Sequence, residues 1–200
     1  MNILLLDVYP HVNYRMSKDQ NGGYGTANDY GKTLFTKFLK FVVNKSIEFL
    51  PLFSVQVLGE LKDANHSVEY SKTIPDNLEF FDFIVLASSI VCHETEIETI
   101  KKLKKFNKVV FVIGPFATSN PDNYIQAGAK VVIGEPEMFF HKFKKTNDEI
   151  KKLPNLIDNV INININDLAI PAWDIIFKNY IPRFKFLGKE PAVNINASRG

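Results

Sequence analysis

The chain has one cysteine, Cys92. That excludes an internal disulfide and any all-cysteine metal site within these residues, and it suits the reducing cytoplasm. Charge of one sign is also lacking. The formal net charge is +2 and the chain has no strongly charged pole, so nucleic acid is not implied as a partner. The densest basic run (Lys101, Lys102, Lys104 and Lys105) is interleaved with Ile100, Leu103 and Phe106, the pattern of a solvated helix face. Long apolar runs are missing. Residues 3–6 (ILLL) are followed at once by Asp7, too short for a signal peptide or a membrane span. There is no internal repeat and no low-complexity tail. No Ser-His-Asp pattern, no His-Glu-x-x-His and no defensible carboxylate pair occurs, which leaves chemistry to cofactors. The glycine-rich stretch Gly22-Gly23-Tyr24-Gly25-Thr26 is neither a Walker loop nor Gly-x-Gly-x-x-Gly. It reads as a mobile surface loop or as a loop contacting a ligand.

What is present is a set of short buried-strand runs. Nearly half the residues are apolar, and the length suits one domain with an appendage. Strand runs fall at 2–8, 66–71, 82–87, 108–113 and 130–133, and the last two hold continuous Val/Ile/Phe stretches, as expected for parallel strands covered on both faces. Helices are predicted between them. The first runs from a cap at Asn28 or Asp29 to Val43, with Leu34, Phe35, Phe38, Leu39 and Val42 on one face. The second runs from Ser46 to Asp63, with Leu52, Val55, Leu58 and Leu61 toward the sheet. Asn65 suits the left-handed cap that ends it. Further helices are predicted at 94–106, 121–128 and 137–147, the last extending at most to 152, with a polar turn before Pro121. This alternation predicts an α/β, flavodoxin-like or Rossmann-like, doubly wound five-stranded parallel sheet in the order 2-1-3-4-5.

Beyond Leu153 the pattern changes. Residues 1–153 read as the first domain, 154–188 as a linker and 189–200 as the start of a second domain. Ile165, Ile170, Trp173, Ile176, Phe177, Phe184 and Phe186 make the linker too apolar to run free. Part of it is expected to pack on the first domain.

Several short motifs occur in a telling order. Tyr9-Pro10 follows the first strand. Pro51-Leu52 opens a helix that ends Leu61-Lys62-Asp63-Ala64-Asn65-His66-Ser67-Val68. Ser88-Ser89 closes the third strand, Gly114-Pro115-Phe116-Ala117-Thr118 the fourth, and Gly134-Glu135-Pro136-Glu137 the fifth. Pro171-Ala172-Trp173-Asp174 and Asn196-Ala197-Ser198-Arg199-Gly200 come later. This succession resembles the N-terminal half of the cobalamin-binding radical S-adenosylmethionine enzymes. In that family the helix ends Leu-x-x-Ala-Gly-His-x-Val, and strands four and five lead into Gly-Gly-x-x-Ala-Thr and Gly-Glu-Gly-Glu. Pro115 and Pro136 stand where the family carries Gly.

The resemblance implies a corrin over the C-terminal strand edge. The contacts it implies come from Asp7, Tyr9 and Pro10; from Gly23, Tyr24, Gly25 and Thr26; from Ser88 and Ser89; from Gly114, Phe116, Ala117 and Thr118; and from Gly134, Glu135 and Glu137. Small residues at Ser88, Ser89 and Gly114 would leave room for the nucleotide tail. Asp7 would accept from corrin amides, or simply cap a loop. Glu137 is either a contact or a helix-start carboxylate. The family's further cofactors are a [4Fe-4S] cluster held by cysteines beyond Gly200 and S-adenosylmethionine. Its reaction is methyl transfer to an unactivated carbon of a small-molecule substrate, or related radical chemistry. No side chain here is assigned a catalytic or metal-binding role. The Asp-x-His-x-x-Gly cobalt-ligand motif is absent, so His11 is not assigned to cobalt. His66 and His93 read as surface residues and Cys92 as a passive thiol. The rival expectation is a flavodoxin-like regulatory or docking module without cobalamin. A homodimer through the C-terminal tail is a further expectation.

Overall fold

The structure, a computed structural model, describes residues 1–10, 18, 31–46, 51–158 and 163–179. Six strands form one parallel sheet: β1 (Asn2–Leu6), β2 (Ser67–Ser71), β3 (Phe83–Ala87), β4 (Val109–Ile113), β5 (Lys130–Ile133) and β6 (Leu156–Asp158), in the order β2-β1-β3-β4-β5-β6. The predicted fold class and the order of the first five strands hold, with boundaries matched to within two residues. β6 is a correction, because it comes from the stretch read as linker. In it Ile157 is buried while Leu156 and Asp158 are exposed. A three-residue alternation of this kind is too short to stand out in a sequence.

The helices are α1 (Leu34–Ser46), α2 (Leu52–Asp63), α3 (His93–Lys105), α4 (Pro115–Ser119), α5 (Pro121–Gln126), α6 (Pro136–Phe140), α7 (Asn147–Lys152) and α8 (Trp173–Asn179). Side chains alternate between two cores. Ile3, Leu5, Phe83, Val85, Phe111 and Ile113 face α2, α6, α7 and α8. Leu4, Leu6, Ile84, Leu86, Val110 and Val112 face α3, α4 and α5. The crossovers β3-to-β4 and β4-to-β5 step one way along the sheet over the α3 face. The β5-to-β6 crossover steps the same way over the opposite face, so its hand is reversed, a rare arrangement.

Several predicted helices differ in extent. The helix predicted from Ser46 begins instead at Leu52. Pro51 is its extended N-cap (φ −66°, ψ 120°), and the proline ring disfavours helical geometry in the residue before it. The polar turn before Pro121 contains the short helix α4. The helix predicted over 137–147 is two pieces. Lys142 takes a left-handed φ of 50° between them, and Thr146 restarts the chain with a capping box to Glu149. Pro115 and Pro136 each sit at a helix start, where a missing N–H costs no helical bond. Asn65 takes the expected left-handed cap (φ 64°), and the N–H of His66 donates to Leu61 O at 3.1 Å.

The largest departure is α1. Its predicted N-caps Asn28 and Asp29 lie outside the described residues. Thr33 Oγ1 instead accepts from the Thr36 N–H at 3.2 Å. Leu34, Phe35 and Phe38, predicted to share one apolar face, are exposed, and neither core includes a residue of α1.

By contrast α2 is buried from Leu52 to Leu61. The sheet covers one side. α6 packs beside α2 on the same face of the sheet, and residues 169–176 pack against α2 as well, which bears out the expectation that part of the tail packs on the first domain. Ala172 and Ile176 are buried, whereas Ile165 and Ile170 stay exposed. Polar contacts fix the register: Gln56 Nε2 donates to Ala169 O (2.6 Å), and the Ala169 N–H donates to Glu60 Oε1 (2.7 Å). Gly59 permits the close approach, since a Cβ there would lie 2.4 Å from Ile170 O. In an open helix Gly→Ala stabilises by about 1 kcal/mol. Here Gly59→Ala is expected to destabilise by roughly 1–3 kcal/mol through overpacking, read from urea unfolding. A gain in stability would show that residues 169–172 are not seated on α2.

Candidate functional site

The C-terminal strand ends bring most of the described candidate residues to one edge. β1 runs out at Asp7, β3 at Ser88 and Ser89, β4 at Gly114 and β5 at Gly134. Asp7 is fully buried. Its Oδ2 accepts from the hydroxyls of Tyr9 and Tyr70, both at 2.9 Å, and its Oδ1 lies 3.1 Å from Lys18 Nζ. The carboxylate is therefore neither open to a corrin amide nor a loop cap. It belongs to an internal cluster.

Lys18 is the centre of that cluster. Its side chain is fully buried, and Nζ donates to Ala87 O (2.8 Å) and Glu96 Oε1 (2.9 Å). The ammonium also lies 5.0 Å from the centre of the Tyr9 ring. Burial alone would lower the Lys18 pKa, but the Glu96 and Asp7 carboxyls reverse this and hold it above its ordinary value. Glu96 is equally enclosed. Its Oε1 accepts from the Ser89 N–H (2.9 Å) and its Oε2 from Tyr124 Oη (2.6 Å).

Around this centre the small residues are packed by the chain itself. Ser88 and Ser89 are fully buried. Ser88 Oγ accepts from the Ala117 N–H (3.1 Å), and Ser89 Oγ from the Cys92 N–H (3.2 Å). Gly114 has φ 112°, and a Cβ there would lie 2.9 Å from the Phe53 ring and 3.0 Å from Ser88 Oγ. Its smallness thus serves internal packing. The Gly134 N–H donates to Thr118 Oγ1 (3.2 Å), joining the loops after β4 and β5. Glu135 is exposed and Glu137 buried, while Phe116 is half-buried and Ala117 buried. Pro10 is exposed. Ile90 and Val91, just past Ser89, are 46% and 40% exposed and give the edge an apolar rim. Gly23, Tyr24, Gly25, Thr26 and His11 lie outside the described residues.

The histidines are less exposed than expected. His66 is half-buried, with Nε2 at 2.6 Å from Phe143 O. His93 is half-buried, edge-on to the Phe116 and Tyr124 rings at 5.2 and 5.1 Å. Among the described residues no group of three or more His, Cys, Asp or Glu is placed to hold a metal ion. No described helix is long and apolar enough to cross a membrane.

Sequence reading missed Lys18, Tyr70, Glu96 and Tyr124. Lysine is seldom fully buried, and nothing near Lys18 marks it. Glu96 in the first turn of α3 resembles an ordinary dipole-facing carboxylate. Its signal was position: it lies seven residues after Ser89, directly above the end of β3.

The titratable groups here with shifted pKa values hold their protons. Burial and Asp7 raise the Tyr9 phenol, and burial and Glu96 raise that of Tyr124. Burial pushes the Cys92 thiol up to about 11, although Lys18 and Ser89 pull the other way. None of these groups exchanges a proton readily near neutrality, as a general acid or base must. Comparison with protein-family profiles, curated proteins and solved structures finds no match to this chain.

Two outcomes are expected. Lys18→Met leaves two enclosed carboxyls without their cation, a loss of about 3–5 kcal/mol. Unpaired and buried, those carboxyls would have raised pKa values, so the variant should regain stability as the pH falls and they protonate. Urea unfolding at several pH values reads this, and an unchanged midpoint at neutral pH would contradict the burial of Lys18. The Cys92 thiol has its folded pKa above its unfolded one. Its contribution is therefore complete below about pH 8.5 and is lost as the pH rises toward about 11. The two tyrosines act in the same direction at higher pH. Stability should fall over this range, and less steeply in Cys92→Ala. A native thiol that reacts with a disulfide reagent as fast as free cysteine would overturn the assignment.

Proposed function

We propose that this chain is the cobalamin-binding domain of a radical S-adenosylmethionine enzyme. The observation that carries the reading is the convergence of the family-like segments on one sheet edge. Ser88-Ser89, Gly114–Thr118 and Gly134–Glu137 come from separate loops and meet at the C-terminal ends of β3, β4 and β5. In open α/β sheets that edge is where ligands bind. Ile90 and Val91 add an exposed apolar rim suited to a macrocycle. On this side Ile90, Val91, Pro115, Gly134 and Glu135 are open to a ligand, while Ser88, Ser89 and Gly114 shape the edge from within. Next to β1 and β3, the Lys18–Asp7–Glu96 cluster is closed, so Asp7 is withdrawn from the set of contacts. Bound at the rim, cobalamin would supply a methyl group for transfer to an unactivated carbon. The chain's own residues would bind and orient the corrin. The assignment of a [4Fe-4S] cluster, S-adenosylmethionine and a small-molecule substrate to the wider enzyme rests on the sequence resemblance.

The rival reading, a docking or regulatory module without cobalamin, is favoured by the same closed cluster and by the Phe53 ring packed against Gly114. Hydroxocobalamin mixed with the protein and passed through gel filtration separates the two. Retained pigment with a base-off spectrum is expected, and Val91→Asp at the exposed rim should reduce retention while leaving thermal unfolding unchanged. Colourless protein would favour the docking module. Ser88→Leu and Gly114→Leu are poor probes, since both would disturb internal packing.

A further inference from the structure

We propose that α1 is a membrane-surface helix that lies flat on anionic lipid. Thirteen residues span about 20 Å, too short to cross a bilayer but enough to rest in its interface. Four large apolar side chains point away from the domain: Leu34, Phe35, Phe38 and Phe41 are 85%, 68%, 61% and 60% exposed. At about 100° per residue they fall within one arc of roughly 120°.

Charge identifies the partner. From Gly31 to Ser46 the chain carries Lys32, Lys37, Lys40 and Lys45 and no Asp or Glu. Among the described residues, Lys32, Lys37 and Lys40 form no ion pair. A second copy docking by the same face would bring four more lysines against these, so self-association is opposed. A lipid surface with anionic headgroups complements the helix. Phenylalanine and leucine enter the acyl boundary while lysine stems reach up to the phosphates. This face lies outside both cores.

The test is co-sedimentation of the full chain with vesicles of phosphatidylcholine mixed with phosphatidylglycerol, against pure phosphatidylcholine. Binding to the anionic vesicles is expected to be at least about tenfold stronger and to weaken as salt is raised. Phe35→Asp combined with Phe38→Asp should abolish it. Lys37→Gln combined with Lys40→Gln should weaken it several-fold. Both pairs lie at exposed positions, so thermal unfolding should match the parent chain. Three results would overturn the proposal. They are no sedimentation with either vesicle, equal sedimentation with both, and a dimer in analytical ultracentrifugation that Phe35→Asp with Phe38→Asp dissolves.

Discussion

One ammonium group holds the C-terminal edge of the sheet together. Lys18 reaches from the segment after β1 to Asp7 at the end of β1, to Ala87 at the end of β3 and to Glu96 on α3. Taking a lysine and two carboxyl groups out of water is costly, and only close, well-satisfied geometry offsets the cost. Tyr9 and Tyr70 donate to Asp7 Oδ2, and Ser89 and Tyr124 to Glu96, while Asp7 Oδ1 meets Lys18 as an ion pair without a hydrogen bond. An apolar core has no directional preference. This cluster does, and it fixes how α3 meets the two central strands. It also explains why the edge holds its protons. The tyrosines and the thiol share one enclosed neighbourhood with the carboxyls, and their charged forms are penalised.

The two faces of the sheet are built differently. On one face α3, α4 and α5 cover the strands in a single layer. On the other, α2 is itself covered, and the cover comes from the far end of the described chain. Gly59 and the reversed crossover belong to this second arrangement. The crossover carries α6 back over the face that α2 occupies, where His141 Nδ1 lies 2.9 Å from Glu60 Oε2. Glu60 thereby joins α2 to both α6 and the tail.

β1, β3, β4 and β5 were legible because buried parallel strands are written as apolar runs, whereas β2, at the sheet edge, is the mixed Ser-Val-Glu-Tyr-Ser. Asn65 was legible because few residues other than glycine tolerate a left-handed turn. β6 was not, since three residues carry too little pattern. The apolar stripe of α1 was read correctly as amphipathic, but periodicity does not say whether the partner is the sheet or something else. At the site, Ser88 and Gly114 were singled out for their small size, which turned out to serve contacts with Ala117 and Phe53. The cluster centred on Lys18 was invisible because its members are far apart in sequence and each is ordinary alone.

The cover over α2 has a consequence for how the chain comes into being. During synthesis α2 and the first five strands emerge well before residues 169–176. Until those residues arrive, Gln56 and Glu60 lack the backbone partners Ala169 supplies. The nascent domain therefore holds one flank of α2 without its native partners until residues 169–176 are made, and incompletely packed states of this kind are prone to non-native association. A helix made early is locked by a segment made much later.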